Sequence, residues 1–374
     1  MSFLEKLLEG VEVEWTTIGD EKIVEIANGG RKPVKASLRI AGEIPYYGAN
    51  NIQDYVEGFT HDGKYILIAE DGSKSLESYS IQYTEDKFWA NNHIHVIRGK
   101  SDITTKFLYH YLQIVNFIPF LSGGVRAKLT KGQLINIPIP IPCPNNPEKS
   151  LQIQQKIVDI LDTFTELTAE LTAELTARKQ QYDYYREQLL TFDEKEVEWK
   201  SLNDVAIIGT GRHDTKDAID DGNYTFYARG RELLKLNSYD FDETAIITAG
   251  DGAGVGKVYH WVTGKYALHQ RAYRIVPNSD VNARYIYHYF VANFYFYIEK
   301  VSVSSSVKSL RRPMFLNFKI PIPSLKEQES IVNILDKFDT LTTSISEGLP
   351  KEIELRKKQY EYYREMLLSF PKSV

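Results

Sequence analysis

Short apolar runs of strand length, rich in Ile, Val, Tyr and Phe, recur along the first part of the chain between turn signals such as Asn28-Gly29-Gly30 and Asp62-Gly63. Ile66-Leu67-Ile68-Ala69 is one such run, and a helical pattern is predicted over 104–117. Further on the period changes. Apolar or aromatic residues fall at Ile153, Ile157, Leu161, Phe164, Leu167, Leu171, Leu175, Tyr182, Tyr185 and Leu189, a three/four spacing broken by two steps of four. This predicts one helix of about forty residues whose seam carries a stutter, roughly 60 Å long. The stutter is Thr168-Ala169-Glu170-Leu171, repeated as Thr172-Ala173-Glu174-Leu175. Each such unit lengthens a helix by about 6 Å. Ile139-Pro140-Ile141-Pro142, just before the helix, cannot be helical, because alternate prolines lack N–H donors and hold their predecessors extended. It reads as a stiff connector.

The whole order of patterns then returns. Val13-Glu14-Trp15 reappears as Val197-Glu198-Trp199, Ile66 to Ala69 with Asp71-Gly72 as Ile246 to Ala249 with Asp251-Gly252, and Phe107 to Leu112 as Tyr285 to Phe290. The IPIP segment returns at Ile320 to Pro323, and the helix end Arg178 to Arg186, with Tyr182 and Tyr185, matches Arg356 to Arg364, with Tyr360 and Tyr363. A helix is expected over 282–298 as well. The second long helix lacks the tetrapeptides and holds Gly348-Leu349-Pro350, so it is expected to be kinked or split. The fold class is α+β: two pseudo-repeated globular domains, each followed by a long helix, with the two helices pairing as an antiparallel coiled coil in a dumbbell. The expected boundaries are a first domain at 1–150, a first helix at 151–192, a second domain at 193–323 and a second helix at 324–374.

Composition narrows the chemistry. With 374 residues, 43% hydrophobic and 12% aromatic, the chain can bury more than one core, and the absence of a long apolar run points away from a membrane. A cytoplasmic location is expected. The single cysteine, Cys143, can make neither an internal disulfide nor a cysteine-rich metal site. No ATP-binding P-loop, nucleophile elbow or HExxH pair occurs, and the run Gly250 to Gly256 precedes a strand-like stretch rather than a phosphate-capping helix. His93 and His95 could seed a metal site, but the second copy has Arg271 and Tyr273 there, so a polar strand face is the simpler reading. No catalytic or metal site is expected.

A net charge of −5 gives no global sign of nucleic-acid binding, so such a function must be local. Positive charge does concentrate in acid-free stretches placed alike in both copies. Leu121 to Lys131, with Arg126, Lys128 and Lys131, precedes the first IPIP segment, and Lys300 to Arg312, with Ser304, Ser305, Lys308, Arg311 and Arg312, precedes the second. Small residues, hydroxyls and basic side chains together suit phosphate contact. Other such stretches carry Arg31 and Lys32, then Asn91, Asn92 and His93, then His269, Gln270 and Arg271; Arg229 and Arg231 complete the candidate DNA-contacting set. Amides and guanidiniums on rigid elements are what base-edge readout needs. The copies share framework residues but differ at these polar positions.

The paired IPIP segments, the Leu325-Lys326-Glu327-Gln328-Glu329-Ser330-Ile331 start of the second helix with Ile334-Leu335-Asp336, and the TAEL tetrapeptides closely resemble the specificity subunit of type I restriction-modification systems. The resemblance covers essentially the whole chain. It implies a non-catalytic DNA-recognition protein whose two target recognition domains each read half of a bipartite, asymmetric site, with the spacer set by the helices. Thr168, Leu171, Thr172, Leu175, Tyr182, Tyr185, Tyr360 and Tyr363 would lie on those spacer and partner helices. It also implies two methylation subunits using S-adenosylmethionine to methylate adenine, and restriction subunits using ATP and Mg, with no cofactor on this chain. The competing class is a non-catalytic coiled-coil scaffold with two protein-binding heads.

Overall fold

The computed structural model describes residues 8–123, 127–301, 310, 312–344 and 346–370. The chain forms two compact units, 1–171 with 353–374, and 172–352. In the first, β1 (Val13–Thr17) pairs antiparallel with β10 (Pro138–Pro142). Between them run β2 (Val24–Ile26), β3 (Ala41–Tyr47), β4 (Ile52–Val56), β5 (His61–Asp62), β6 (Tyr65–Ala69), β7 (Ile81–Thr84), β8 (Lys87–Ala90), β9 (Ile94–Gly99), α1 (Thr105–Leu112) and the short α2 (Lys131–Leu134). The strands form two four-stranded sheets, in the orders β2-β9-β6-β7 and β4-β3-β8-β5. Every residue of β6 is buried, which is why its sequence reads as an unbroken apolar run.

The IPIP segment is therefore a strand, not merely a stiff connector. Its prolines recur with the period of two that an antiparallel ladder tolerates, because alternate residues direct their N–H groups away from the partner. Trp15 lies opposite Pro140 and meets the edge of Tyr111 at 6.2 Å. The chain then enters α3 (Pro147–Leu189), a single 43-residue helix. Residues 147–171 of it belong to the first unit, where Ile153, Ile157 and Leu161 share a core with Phe107, Leu108 and Leu112 of α1 and with Leu367 and Leu368 of the last helix. Phe164 stacks on Tyr363 at 5.2 Å.

The second unit repeats the plan. Here β11 (Glu198–Ser201) leads through α4 (Leu202–Val205) to β12 (Ala206–Thr210), β13 (Tyr224–Tyr227), β14 (Leu233–Leu236), β15 (Phe241–Ala249), β16 (Tyr259–Leu268), β17 (Ala272–Pro277), α5 (Ala283–Val301), α6 (Arg312–Leu316) and β18 (Lys319–Ile322). β11 pairs with β18, Trp199 opposite Pro321, and Trp199 meets the edge of Tyr289 as Trp15 meets Tyr111. The remaining strands make one six-stranded sheet, β12-β17-β15-β16-β13-β14. The helix expected over 104–117 is shorter than its counterpart, ending at Leu112 against Val301 in α5. The second long helix is split, into α7 (Leu325–Thr343) and α8 (Gly348–Leu368). Gly348 has φ +77, and a Cβ there would stand 2.5 Å from the Thr340 carbonyl oxygen, so the break needs glycine. Among the described residues no helix is long and apolar enough to cross a membrane.

One joint between globular part and long helix occurs in both units. Gln154, fully buried in the first turns of α3, accepts from the Thr104 N–H at 2.8 Å and donates to the Asp102 carbonyl at 2.9 Å. Gln328 in α7 accepts from the Asn282 N–H at 2.8 Å and donates to the Pro323 carbonyl at 2.8 Å. One turn or two further along, His110 of α1 meets Asp162 at 2.9 Å, and His288 of α5 meets Asp336 at 2.7 Å. Replacing Gln154 by Leu keeps the volume but strands a buried N–H and a buried carbonyl. We expect a loss of about 2–6 kcal/mol, one desolvation penalty for each group, read as a lowered unfolding midpoint in denaturant, with Gln328→Leu behaving alike.

Candidate nucleic-acid interface

The residues displayed by one turn in each unit hang on a set of backbone hydrogen bonds that recurs in both. In the first unit, the strand β6 leaves the sheet at Glu70, whose N–H donates to the His93 carbonyl at 2.8 Å, while the Leu129 N–H donates to Glu70 O at 2.8 Å. In the second, Gly250 after β15 donates to the Arg271 carbonyl at 2.9 Å and accepts from the Leu310 N–H at 2.8 Å. Asn91 N–H reaches Tyr47 O and His269 N–H reaches Tyr227 O, at 3.2 and 3.0 Å. Gly72 and Gly252, two residues on, have φ +73 and +78, so both loops bend through the conformation that glycine alone adopts freely.

The turns facing these loops connect β8 to β9 and β16 to β17. Each is closed by its own side chain. Asn91 is 4% exposed and its Oδ1 accepts from the His93 N–H at 2.8 Å; His269 is 2% exposed and its Nδ1 accepts from the Arg271 N–H at 2.9 Å. Asn91 and His269, expected to contact DNA, thus have their acceptors engaged inside the turn. The residues it displays are Asn92 and His93 in one unit and Gln270 and Arg271 in the other, all exposed.

Carboxylates sit beneath these displayed groups, a feature that the acid-free stretches hid because the acids lie on other segments. His93 Nδ1 is 2.6 Å from Asp71, and Arg271 Nη1 donates to Asp251 at 3.1 Å. Arg229 donates to the other oxygen of Asp251 at 3.0 Å. In the first unit Glu70 takes hydrogen bonds from Arg31 at 2.7 Å and from Lys128 at 3.0 Å. Burial alone would raise the Glu70 carboxyl, but these two cations hold it below the usual carboxylate range, and Glu70 in turn raises Lys128. Arg31 also donates to the Ile94 carbonyl at 2.8 Å, so it braces the loop. In the second unit Arg229, Arg231, Lys257, Thr215 and the glycine loop line a cleft of about 650 Å³. The glycine loop joins two antiparallel strands, so the phosphate-capping helix of a nucleotide site does not follow it.

A sequence model of the type I restriction modification DNA specificity domain matches residues 12–178 and again 194–355. The chain belongs to the type I restriction-modification DNA specificity family. A putative type I restriction enzyme specificity subunit from Haemophilus influenzae is 45% identical over 99% of this chain and 98% of its own length. A type I restriction enzyme specificity subunit from Escherichia coli is 38% identical over 100% and 98%. The crystal structure of the S subunit from M. genitalium superposes with a TM-score of 0.68 at 15% identity, covering all of both chains, which places the fold in the same class.

The other candidate residues of this specificity subunit are distributed around the same frame. Lys32 is exposed with its ammonium 5.8 Å from the Trp89 ring, and Lys131 is exposed at the start of α2. Arg312 begins α6 and donates to the Ile208 carbonyl at 3.3 Å. Arg126, Ser304, Ser305, Lys308 and Arg311 lie outside the described residues. On the long helices Leu171 is buried, and Thr168 bonds back to the Phe164 carbonyl at 2.8 Å. Thr172 is exposed and Leu175 half-buried. Tyr182 and Tyr185 stack on Phe338 within the second unit, at 5.9 and 5.6 Å. Tyr360 and Tyr363 pack in the first unit's core. The most exposed of these helix rings are Tyr184 and Tyr362, at 60% and 63%, which lie off the seam spacing; Tyr185 is 39% exposed.

His269 makes the site acid-sensitive. Burial, followed by the nearby Arg229 cation, lowers its ring below the ordinary value of 6.5, against the opposing pull of Asp214 and Asp251. Its folded state therefore binds fewer protons than the unfolded chain as pH falls below that value, and the stability it contributes is lost in that direction. Buried His95, His110 and His288 act in the same sense. The unfolding temperature should fall between about pH 7.5 and about pH 5.5. His269→Asn, which supplies the acceptor that Asn91 supplies in the other unit, should fall less over the same interval.

Proposed function

We propose that this chain is the recognition subunit of a type I restriction-modification complex, reading a bipartite, asymmetric DNA site with one half-site per unit. The observation that supports it most is the repeated loop-and-turn frame, held by equivalent backbone hydrogen bonds, which displays Asn92 and His93 in one unit and Gln270 and Arg271 in the other. One scaffold with two sets of side chains is what reading two different half-sites requires, since base identity is carried by donors and acceptors at the groove edge. The remaining cations, Lys32, Lys131, Arg231 and Arg312 among them, then serve phosphates. The domain limits 1–150 and 193–323, with helices at 151–192 and 324–374, are the corresponding functional division.

Catalysis belongs to partners in this reading: methylation subunits that bind S-adenosylmethionine and methylate adenine, and restriction subunits that use ATP and Mg. Adenine within a duplex must be flipped out to be methylated, so the specificity subunit's task is to hold the partner over the right base pair. The exposed Tyr184 and Tyr362, one in each unit at matching positions, suit two copies of one partner. The TAEL units straddle residues 171 and 172, where α3 passes from one unit to the other, so their number sets the distance between half-sites.

Co-expression with a cognate methylation subunit in a host without adenine methylation, followed by mapping of modified adenines, should give a single bipartite motif with an unspecific gap. Deleting 168–171 removes about 6 Å of helix. The gap should change with both half-sites kept, and an unchanged gap would refute this role of the tetrapeptides. Exchanging 12–138 for the corresponding part of a relative should alter one half-site alone. Binding of the purified chain to its duplex should weaken steeply with salt, since phosphate contacts release counterions. A salt-independent association would instead favour a protein-binding scaffold.

A further inference from the structure

Phosphates repel carboxylates, yet each unit places one directly under the residue its turn displays. Asp71 and Asp251 occupy the same place in the frame, immediately before the left-handed glycines Gly72 and Gly252. The Asp251–Arg271 ion pair and the Asp71–His93 contact are partly exposed, and such pairs stabilise a fold little. Their geometric effect is larger. The Arg271 side chain is 62% exposed and would otherwise sample many rotamers; Asp251 takes one of its five N–H donors and fixes the guanidinium plane, while Arg229 on the second oxygen keeps the carboxylate from turning. The donors left over form the fork that matches guanine O6 and N7. Asp71 acts differently on His93. A carboxylate at 2.6 Å accepts a proton held on Nδ1, and a ring with its one proton there offers Nε2 as an acceptor.

We propose that Asp71 and Asp251 are positioning residues for base recognition, Asp251 presenting Arg271 to a guanine and Asp71 fixing His93 as the acceptor for an exocyclic amine of adenine or cytosine. This rests on the reading of the two units as DNA-binding. It makes the half-sites chemically different by the same device: one acid at one place, orienting a donor in the second unit and an acceptor in the first. It also gives a reason for Glu70 and Asp71 to stand side by side. Glu70 is occupied by Arg31 and Lys128, which brace the loop, leaving Asp71 to the displayed ring.

The test is methylation mapping with the full chain and its methylation partner, for the wild type, Asp251→Asn and Asp71→Asn. In Asp251→Asn, discrimination at one G·C pair of one half-site should fall about tenfold, a share of what a bidentate arginine contributes, with the other half-site untouched. Arg271→Ala should relax the same pair. Asp71→Asn should relax one position of the other half-site. A base preference moving at one position is a readout that a merely structural role would not give. Unchanged motifs in both variants, or equal weakening of both half-sites, would overturn the proposal while leaving the bipartite reading intact. A wild type that yields no bipartite motif would bring down that reading itself. Should Asp251→Asn fail to accumulate as folded protein, Asp71→Asn in the other unit decides by the same criterion.

Discussion

The structure depends on a buried side-chain amide. Gln154 and Gln328 each satisfy a backbone N–H and a backbone carbonyl, groups at the junction where a globular part meets its long helix. A glutamine offers both a donor and an acceptor from one rigid group, so a single residue closes a junction that would otherwise leave two polar groups dry and unpaired. The His110–Asp162 and His288–Asp336 pairs lie further along the same seams. Each fixes a second point, and two points set an angle. If helix length sets distance along DNA, as proposed, each displayed turn has to be held at a fixed angle to its helix.

Above the joint, conservation between the two repeats is one of hydrogen-bond function rather than residue identity. Asn91 and His269 close equivalent turns with unlike chemistry, an amide oxygen in one and an imidazole nitrogen in the other. Glu70 and Gly250 share backbone bonds while differing wholly in side chain. Such a frame lets the displayed residues vary at small structural cost. The two acceptors differ in one respect: the imidazole of His269 can take up a proton and the amide of Asn91 cannot.

Much of the plan is legible in the chain itself. The duplicated order of Val-Glu-Trp, IPIP and helix ends carries the two units, the three/four spacing finds α3, and Gly348-Leu349-Pro350 marks the split between α7 and α8. Three features escape such reading. IPIP is a strand because its partner, Val13 to Thr17, lies more than a hundred residues upstream, and local propensity carries no information about pairing at that distance. The acids beneath the displayed turns do not show in charge patterns along the chain, because Glu70 and Asp251 meet their cations, and Asp71 its imidazole, across strands. Asn91 and His269 resemble readers by residue type, and neither their burial nor the hydrogen bonds that close their turns is legible in the sequence.

The same cross-strand pairing bears on how a chain of net charge −5 can approach DNA. Its candidate DNA-contacting residues do not form a bare positive patch: Arg31, Lys128, Arg229 and Arg271 all have carboxylate partners. Paired cations have a shorter electrostatic reach and so attract any duplex less, which weakens the sequence-independent part of binding. In the proposed reading the phosphate contacts of Lys32, Lys131, Arg231 and Arg312 remain, beside the part that needs a fitted donor or acceptor at a base edge. Under the proposed function such pairing favours discrimination, which is the difference between specific and general binding.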